Sequence, residues 1–65
     1  MQTDPIAETY VQAALASLHS LSSEMLDDYR RLGEQVGAGS MLGSSVTGDD
    51  FADACDAELA GRMAA

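Results

Sequence analysis

The groups that could do chemistry are few, and they are badly matched to one another. The chain has one His and one Cys, His19 and Cys55. A Cys nucleophile needs a positioned His and a neighbour that lowers the thiol pKa. Cys55 lies instead among Asp53, Asp56 and Glu58, whose negative charge raises a thiol pKa. It also falls on the apolar stripe Phe51, Cys55, Leu59. The sequence therefore predicts a core or interface Cys, a surface or interface His19, and no catalytic residue. A structural zinc site takes about four Cys/His-type ligands, more than this pair supplies. A single Cys also rules out an internal disulfide framework.

The densest cluster is acidic: Asp49, Asp50, Asp53, Asp56 and Glu58. A calcium loop would alternate Asp/Asn around a Gly turn and end in Glu. This run lacks that order, and no metal is expected. It reads either as a solvated face or as a surface that meets a basic partner or mimics nucleic-acid phosphates. Gly37-x-Gly39-x-x-x-Gly43 has the spacing of a phosphate-cradling loop, but it follows a helix and lacks a Lys, so dinucleotide and P-loop chemistry are rejected and no cofactor is expected. Eleven Asp+Glu stand against three Lys+Arg, all of them Arg, for a net charge of −8. Direct binding to nucleic acid needs cations to release counterions, so this chain is expected to repel it. With 65 residues a deep pocket for paired carboxylates is not expected either, and an enzyme is the least favoured class.

Helices must position these residues. Asp4-Pro5 reads as an N-cap followed by Pro at the first helical position, with Glu8 in the early turns where the helix dipole favours it. Apolar residues then recur at Val11, Leu15, Leu18, Met25, Tyr29, Leu32 and Val36, a heptad-like seam widened by Ile6, Ala14, Leu21 and Leu26. A helix is predicted over about residues 5–36. Ser17, Ser20, Ser22 and Ser23 surround His19 and compete for backbone hydrogen bonds. The helix either runs through them or breaks near Ser20–Ser23, with Ser22 or Ser23 capping a second segment. Residues 37–47 read as a loop that packs down through Met41, Leu42 and Val46, with Gly33 or Gly37 ending the helix. Thr47 caps a second helix over about 48–62, with fraying expected at Met63-Ala64-Ala65. Nothing alternates with period two, so no strand is expected.

The fold class is thus all-α: one small domain over residues 1–65, a helical hairpin of a long and a short helix. The lengths mismatch. A long helix of roughly 32 residues spans about 48 Å and a short one of ~15 residues about 23 Å. Either the long helix breaks into a three-helix bundle, or another chain covers the face of Val11, Leu15, Leu18, Leu21 and Met25, whose area would mark an interaction site. A chain this short often needs such completion by oligomerisation.

Two patterns resemble a known group: the heptad-spaced helix with Leu15, Leu18, Leu21, Met25 and Leu32, and the Gly-rich turn at Val36-Gly37-Ala38-Gly39 followed by the acidic, Ala-rich Thr47-Gly48-Asp49-Asp50-Phe51-Ala52-Asp53-Ala54. Together they resemble small actinobacterial type VII secretion-associated (WXG100/EspC-like) helical-hairpin proteins, with Met41-Leu42-Gly43 at the turn in place of Trp-x-Gly. The resemblance implies a signal-less antiparallel hairpin that dimerises along its long helix. The residues themselves predict a non-enzymatic protein–protein interaction module, most simply a homodimer joined through Val11, Leu15, Leu18, Leu21 and Met25, or a groove for a partner helix. The alternative is an acidic phage- or plasmid-type inhibitor that occupies a basic nucleic-acid-binding site through Asp49, Asp50, Asp53 and Asp56. No apolar run reaches a membrane span, and Met1-Gln2-Thr3-Asp4-Pro5 carries no leader pattern. A cytoplasmic location is expected, with signal-less export as the other possibility.

Overall fold

Helix α1, Pro5–Ala16, starts where its end chemistry dictates. The Asp4 carboxylate accepts a hydrogen bond from the Ile6 N–H at 3.0 Å, and Pro5 fills the first helical position. The computed structural model describes residues 3–64, so Met1, Gln2 and Ala65 lie outside it, including the leader reading and part of the expected fraying end.

Of the two courses open to residues 5–36, a continuous helix or a break at the serines, the chain takes the break, with Ser22 as the cap of the second segment. Helix α1 stops at Ser17, and the chain passes through one 3-10 turn at Leu18–Ser20 and runs extended through Leu21 (φ −86, ψ 151) and Ser22 (φ −67, ψ 158). The Ser22 hydroxyl then accepts from the Met25 N–H at 3.2 Å and opens α2, Ser23–Val36. The serine cluster breaks the helix by the capping bond that competes with helical continuation. The longest dimension of the chain is accordingly 40 Å, shorter than the roughly 48 Å of an unbroken helix. Helix α2 ends at Gly37, whose φ of +66 suits a residue without Cβ, and whose N–H bonds the Gly33 carbonyl at 2.9 Å. Helix α3, Gly48–Ala64, begins with the Thr47 hydroxyl accepting from the Asp50 N–H at 3.1 Å. It stays helical through Gly61, two residues past the expected end. The architecture is all-α, with three α-helices, and among the described residues only an isolated bridge, Ser40 to Thr47, interrupts the helical pattern.

The loop between α2 and α3 is folded down by its own backbone. Met41 N–H bonds Val46 O at 2.8 Å, Gly48 N–H bonds Gly39 O at 3.0 Å, and Asp49 N–H bonds Gly37 O at 2.9 Å. The buried Ser44 hydroxyl donates to Met41 O at 2.7 Å and accepts from Val46 N–H at 3.2 Å, so burial leaves it satisfied. Met41 is thereby driven into the core with Val11, Leu18, Leu26, Phe51 and Cys55. Leu26 and Cys55 are the largest fully buried side chains, and Tyr29 meets Phe51 edge-to-face with centroids 6.1 Å apart.

Helices α2 and α3 form the closest pair, while the α1 backbone stands farther from both. The close approach is made by Gly33 and Gly48: a Cβ on Gly33 would lie 2.6 Å from Gly48 O and 3.0 Å from Ala52 N. Arg30 ties the pair across its surface, bonding Asp27 at 2.5 Å and Glu34 at 2.8 Å within α2 and reaching Asp56 of α3 at 3.4 Å. Helix α1 is held at its two ends. Asp4 N–H bonds Gly43 O at 3.1 Å, and the Glu8 carboxylate accepts from the Ser45 hydroxyl and, at 3.4 Å, from its N–H. At the other end the Arg62 guanidinium donates to the carbonyls of Leu21 (2.5 Å), Leu18 (3.3 Å) and His19 (3.4 Å) and to the Ser23 hydroxyl (3.2 Å). A cation on that carbonyl cluster is favoured both by charge-assisted bonding and by the helix dipole.

Candidate functional site

Because α1 stands off from the α2/α3 pair, a groove opens along its side. Its lining comes from all three α-helices and the loop: Tyr10, Val11 and Ala14 of α1, Tyr29 and Leu32 of α2, Met41 and Leu42 of the loop, and Phe51 of α3. It encloses a cavity of about 140 Å³. Val11, Met41 and Phe51 are buried and form its floor, whereas Tyr10 (73% exposed) and Leu42 (67% exposed) stand at the rim. Apart from the two tyrosine hydroxyls the lining is apolar. Such a surface can take an apolar side chain.

Leu42 is held at φ +55, the only non-Gly residue at positive φ among the described residues. A left-handed conformation costs an L-residue about 1–2 kcal/mol, and for a bulky residue it is a true outlier. The turn Met41–Ser44 holds Leu42 there, closed by the Ser44 N–H bond to Met41 O at 2.9 Å and by the Ser44 hydroxyl. Strain of this kind collects at working sites, and here it displays an apolar side chain to solvent.

The residues expected to form an interface are divided by this geometry. Val11 and Leu18 lie in the chain's own core, Leu15 and Leu21 pack half-buried against it, and Met25 is exposed. Of the two outcomes that the length mismatch allowed, the break at Ser17–Ser22 is the one seen, and it places Val11 and Leu18 in the chain's own core. The break also moves the buried stripe of α2 along by one residue: Leu26 and Gly33 are buried, while Met25 and Leu32 are left about half exposed. Asp49, Asp50, Asp53 and Asp56 are all exposed on α3, and Asp56 alone of the four touches an Arg. Hydrogen bonding from Arg30, aided by Arg31, holds the Asp27 carboxyl below its ordinary range, and the Ser45 hydroxyl does the same for Glu8. Burial, reinforced by Asp56 and opposed by Arg30, pushes the Cys55 thiol up. His19 is exposed and Cys55 is buried in α3, so they form no nucleophile–base pair. Among the described residues no three or more His, Cys, Asp or Glu converge as metal ligands, and no helix is long and apolar enough to cross a membrane.

Sequence reasoning missed Tyr10, Arg62 and the Gly33/Gly48 contact, and it expected Leu42 to pack down with Met41 and Val46, whereas Leu42 stands exposed while Met41 is buried. Tyr10 does carry a signal, as a large side chain one turn after Ile6 on the flank of the seam. Leu42 carries none, since its conformation is set by bonds elsewhere in the loop. Comparison with protein-family models, with curated proteins and with solved structures finds no match, and the groove must be read from its own geometry.

Proposed function

We propose that this chain is a non-enzymatic protein-interaction module whose groove between α1, α2 and the loop receives an apolar side chain of a partner. The observation that carries this reading is the apolar cavity of about 140 Å³ rimmed by exposed Tyr10 and by Leu42 at positive φ. A homodimeric version would use the groove rim with Leu15, Leu21 and Met25, because Val11 and Leu18 are committed to the core. The test is an NMR titration with a neutral aromatic fragment, p-cresol. Saturable shifts are expected at Tyr10, Val11, Ala14, Leu32 and Leu42, with a dissociation constant on the order of millimolar for so small a ligand. Ala14→Leu, which fills the cavity, should abolish them. Shifts scattered over the surface, or none at the groove, would refute the reading.

A second reading rests on Asp49, Asp50 and Asp53, which are exposed on one helix. They suit an inhibitor that mimics nucleic-acid phosphates on a basic site. Binding would then run through α3, would weaken steeply with salt, and would be lost when the three become Asn. A partner bound equally well by that triple variant would end this reading.

A further inference from the structure

We infer that the groove's occupant is a cationic amphipathic helix of another protein, with one large apolar residue seated between Tyr10 and Leu42 and Lys or Arg on its flanks; this rests on the interaction-groove reading above. The first observation concerns charge. All three arginines are engaged inside the chain: Arg30 with Asp27, Glu34 and Asp56, Arg31 with Asp27, and Arg62 with the carbonyls of residues 18, 19 and 21. A net −8 therefore faces outward with its cations tied up. Asp28 is exposed on α2, one turn before the groove-lining Leu32, and exposed Asp4 joins the loop beside Leu42 through its N–H bond to Gly43 O at 3.1 Å. A second copy would bring the same charge to the same rim, and like-charge juxtaposition suppresses a partner. Nucleic acid and an anionic lipid surface are repelled for the same reason.

The second observation concerns shape. The groove runs between two helices, and among the described residues there is no strand whose edge could be extended by a peptide. The mode it fits is a helix laid in a groove, whose successive turns present the anchor inward and the charges to the rim.

Three helical peptides sharing one Leu/Phe face, with Lys, Gln or Glu on the polar face, test this by calorimetry and NMR. The Lys peptide should bind about tenfold or more tighter than the Gln peptide at low salt, and that advantage should shrink as salt screens it; the Glu peptide should not bind. Leu42→Gly and Tyr10→Ser remove exposed side chains, so their helicity should be unchanged while Lys-peptide affinity falls about tenfold. Equal affinity of the Lys and Gln peptides, both sensitive to Leu42→Gly, would overturn the charge inference and leave the groove reading standing. Binding insensitive to both rim variants would overturn the groove reading itself. Binding lost only in the Asp49→Asn, Asp50→Asn, Asp53→Asn variant would place it on α3 and overturn both. A dimer by sedimentation that Leu42→Gly dissociates would make a second copy the occupant and overturn the cationic partner.

Discussion

Three Gly→Ala substitutions separate helix propensity from helix contact, because the three glycines lie in helices with different surroundings. At Gly61 an added Cβ meets nothing within 4 Å. Ala there should stabilise the protein by about 0.5–1 kcal/mol, the ordinary propensity gain. At Gly33 the same Cβ would sit 2.6 Å from Gly48 O, 3.0 Å from Ala52 N and 3.2 Å from the Ala52 Cβ. Ordinary C···O contacts begin near 3.3 Å, so α2 and α3 must separate by roughly 0.7 Å along their closest contact. Two of the three opposing atoms are backbone and cannot rotate away. Overpacking of this kind costs about 1–3 kcal/mol; against the propensity gain, Gly33→Ala should destabilise by about 1–2 kcal/mol. Gly48→Ala should be worse. Its Cβ would collide with Gly33 O, lie 2.6 Å from the Val36 Cβ and 2.9 Å from Gly37 N, and as the first residue of α3 it gains little propensity. A loss of about 3 kcal/mol is expected, a large share of the few kcal/mol that a chain of this length holds in total. Urea unfolding followed by circular dichroism gives all three values on one scale. If Gly33→Ala and Gly48→Ala both matched the gain at Gly61, α2 and α3 would not cross at these glycines and the packing described above would be wrong.

Arg62→Ala should cost about 2 kcal/mol, since it strips charge-assisted bonds from half-buried carbonyls of residues 18 and 21; Arg62→Lys should recover part of it, and amide shifts should concentrate at residues 17–23 rather than at the α2/α3 contact. Asp27 has a folded pKa lowered chiefly by its bond to Arg30, so its contribution is present above the unfolded value of about 4 and is lost as pH falls through the folded pKa. Denaturation midpoints between pH 5 and pH 2 should fall in the wild type and fall less in Asp27→Asn; parallel curves would remove Asp27 from the account. Cys55 is fully buried and its thiol is pushed up, so a disulfide reagent should modify it only at the rate of opening, with labelling rising in step with urea; prompt native-state reaction would contradict its place in the core.

What the sequence discloses and what it hides differ by the range of the physics involved. Asp4-Pro5, Ser22, Gly37 and Thr47 end or start helices through bonds to residues two to four positions away, and such local chemistry can be read from residue type. The heptad seam is also local, but it holds only while the helix is unbroken. One 3-10 turn at Leu18–Ser20 resets the phase, so the same seven-residue spacing that points to Met25 and Leu32 is realised by Leu26 and Gly33. Gly33 itself reads as a helix terminator from sequence and serves as a contact surface in the fold, because the absence of a Cβ permits both. Arg62 acts on carbonyls more than forty residues away, and a carbonyl has no residue type to recognise. The groove combines steps of both kinds. The serine break turns α1 away from the axis of α2, Arg62 fixes the turned end, Gly33 and Gly48 draw α3 against α2 and leave α1 outside, and the Ser44-bonded turn forces Leu42 to positive φ at the edge of the gap. Two of these steps, the Arg62 bonds and the Gly33/Gly48 contact, join residues distant in sequence and cannot be found by searching for motifs, and each offers a substitution outside the groove lining that should close it or splay it open.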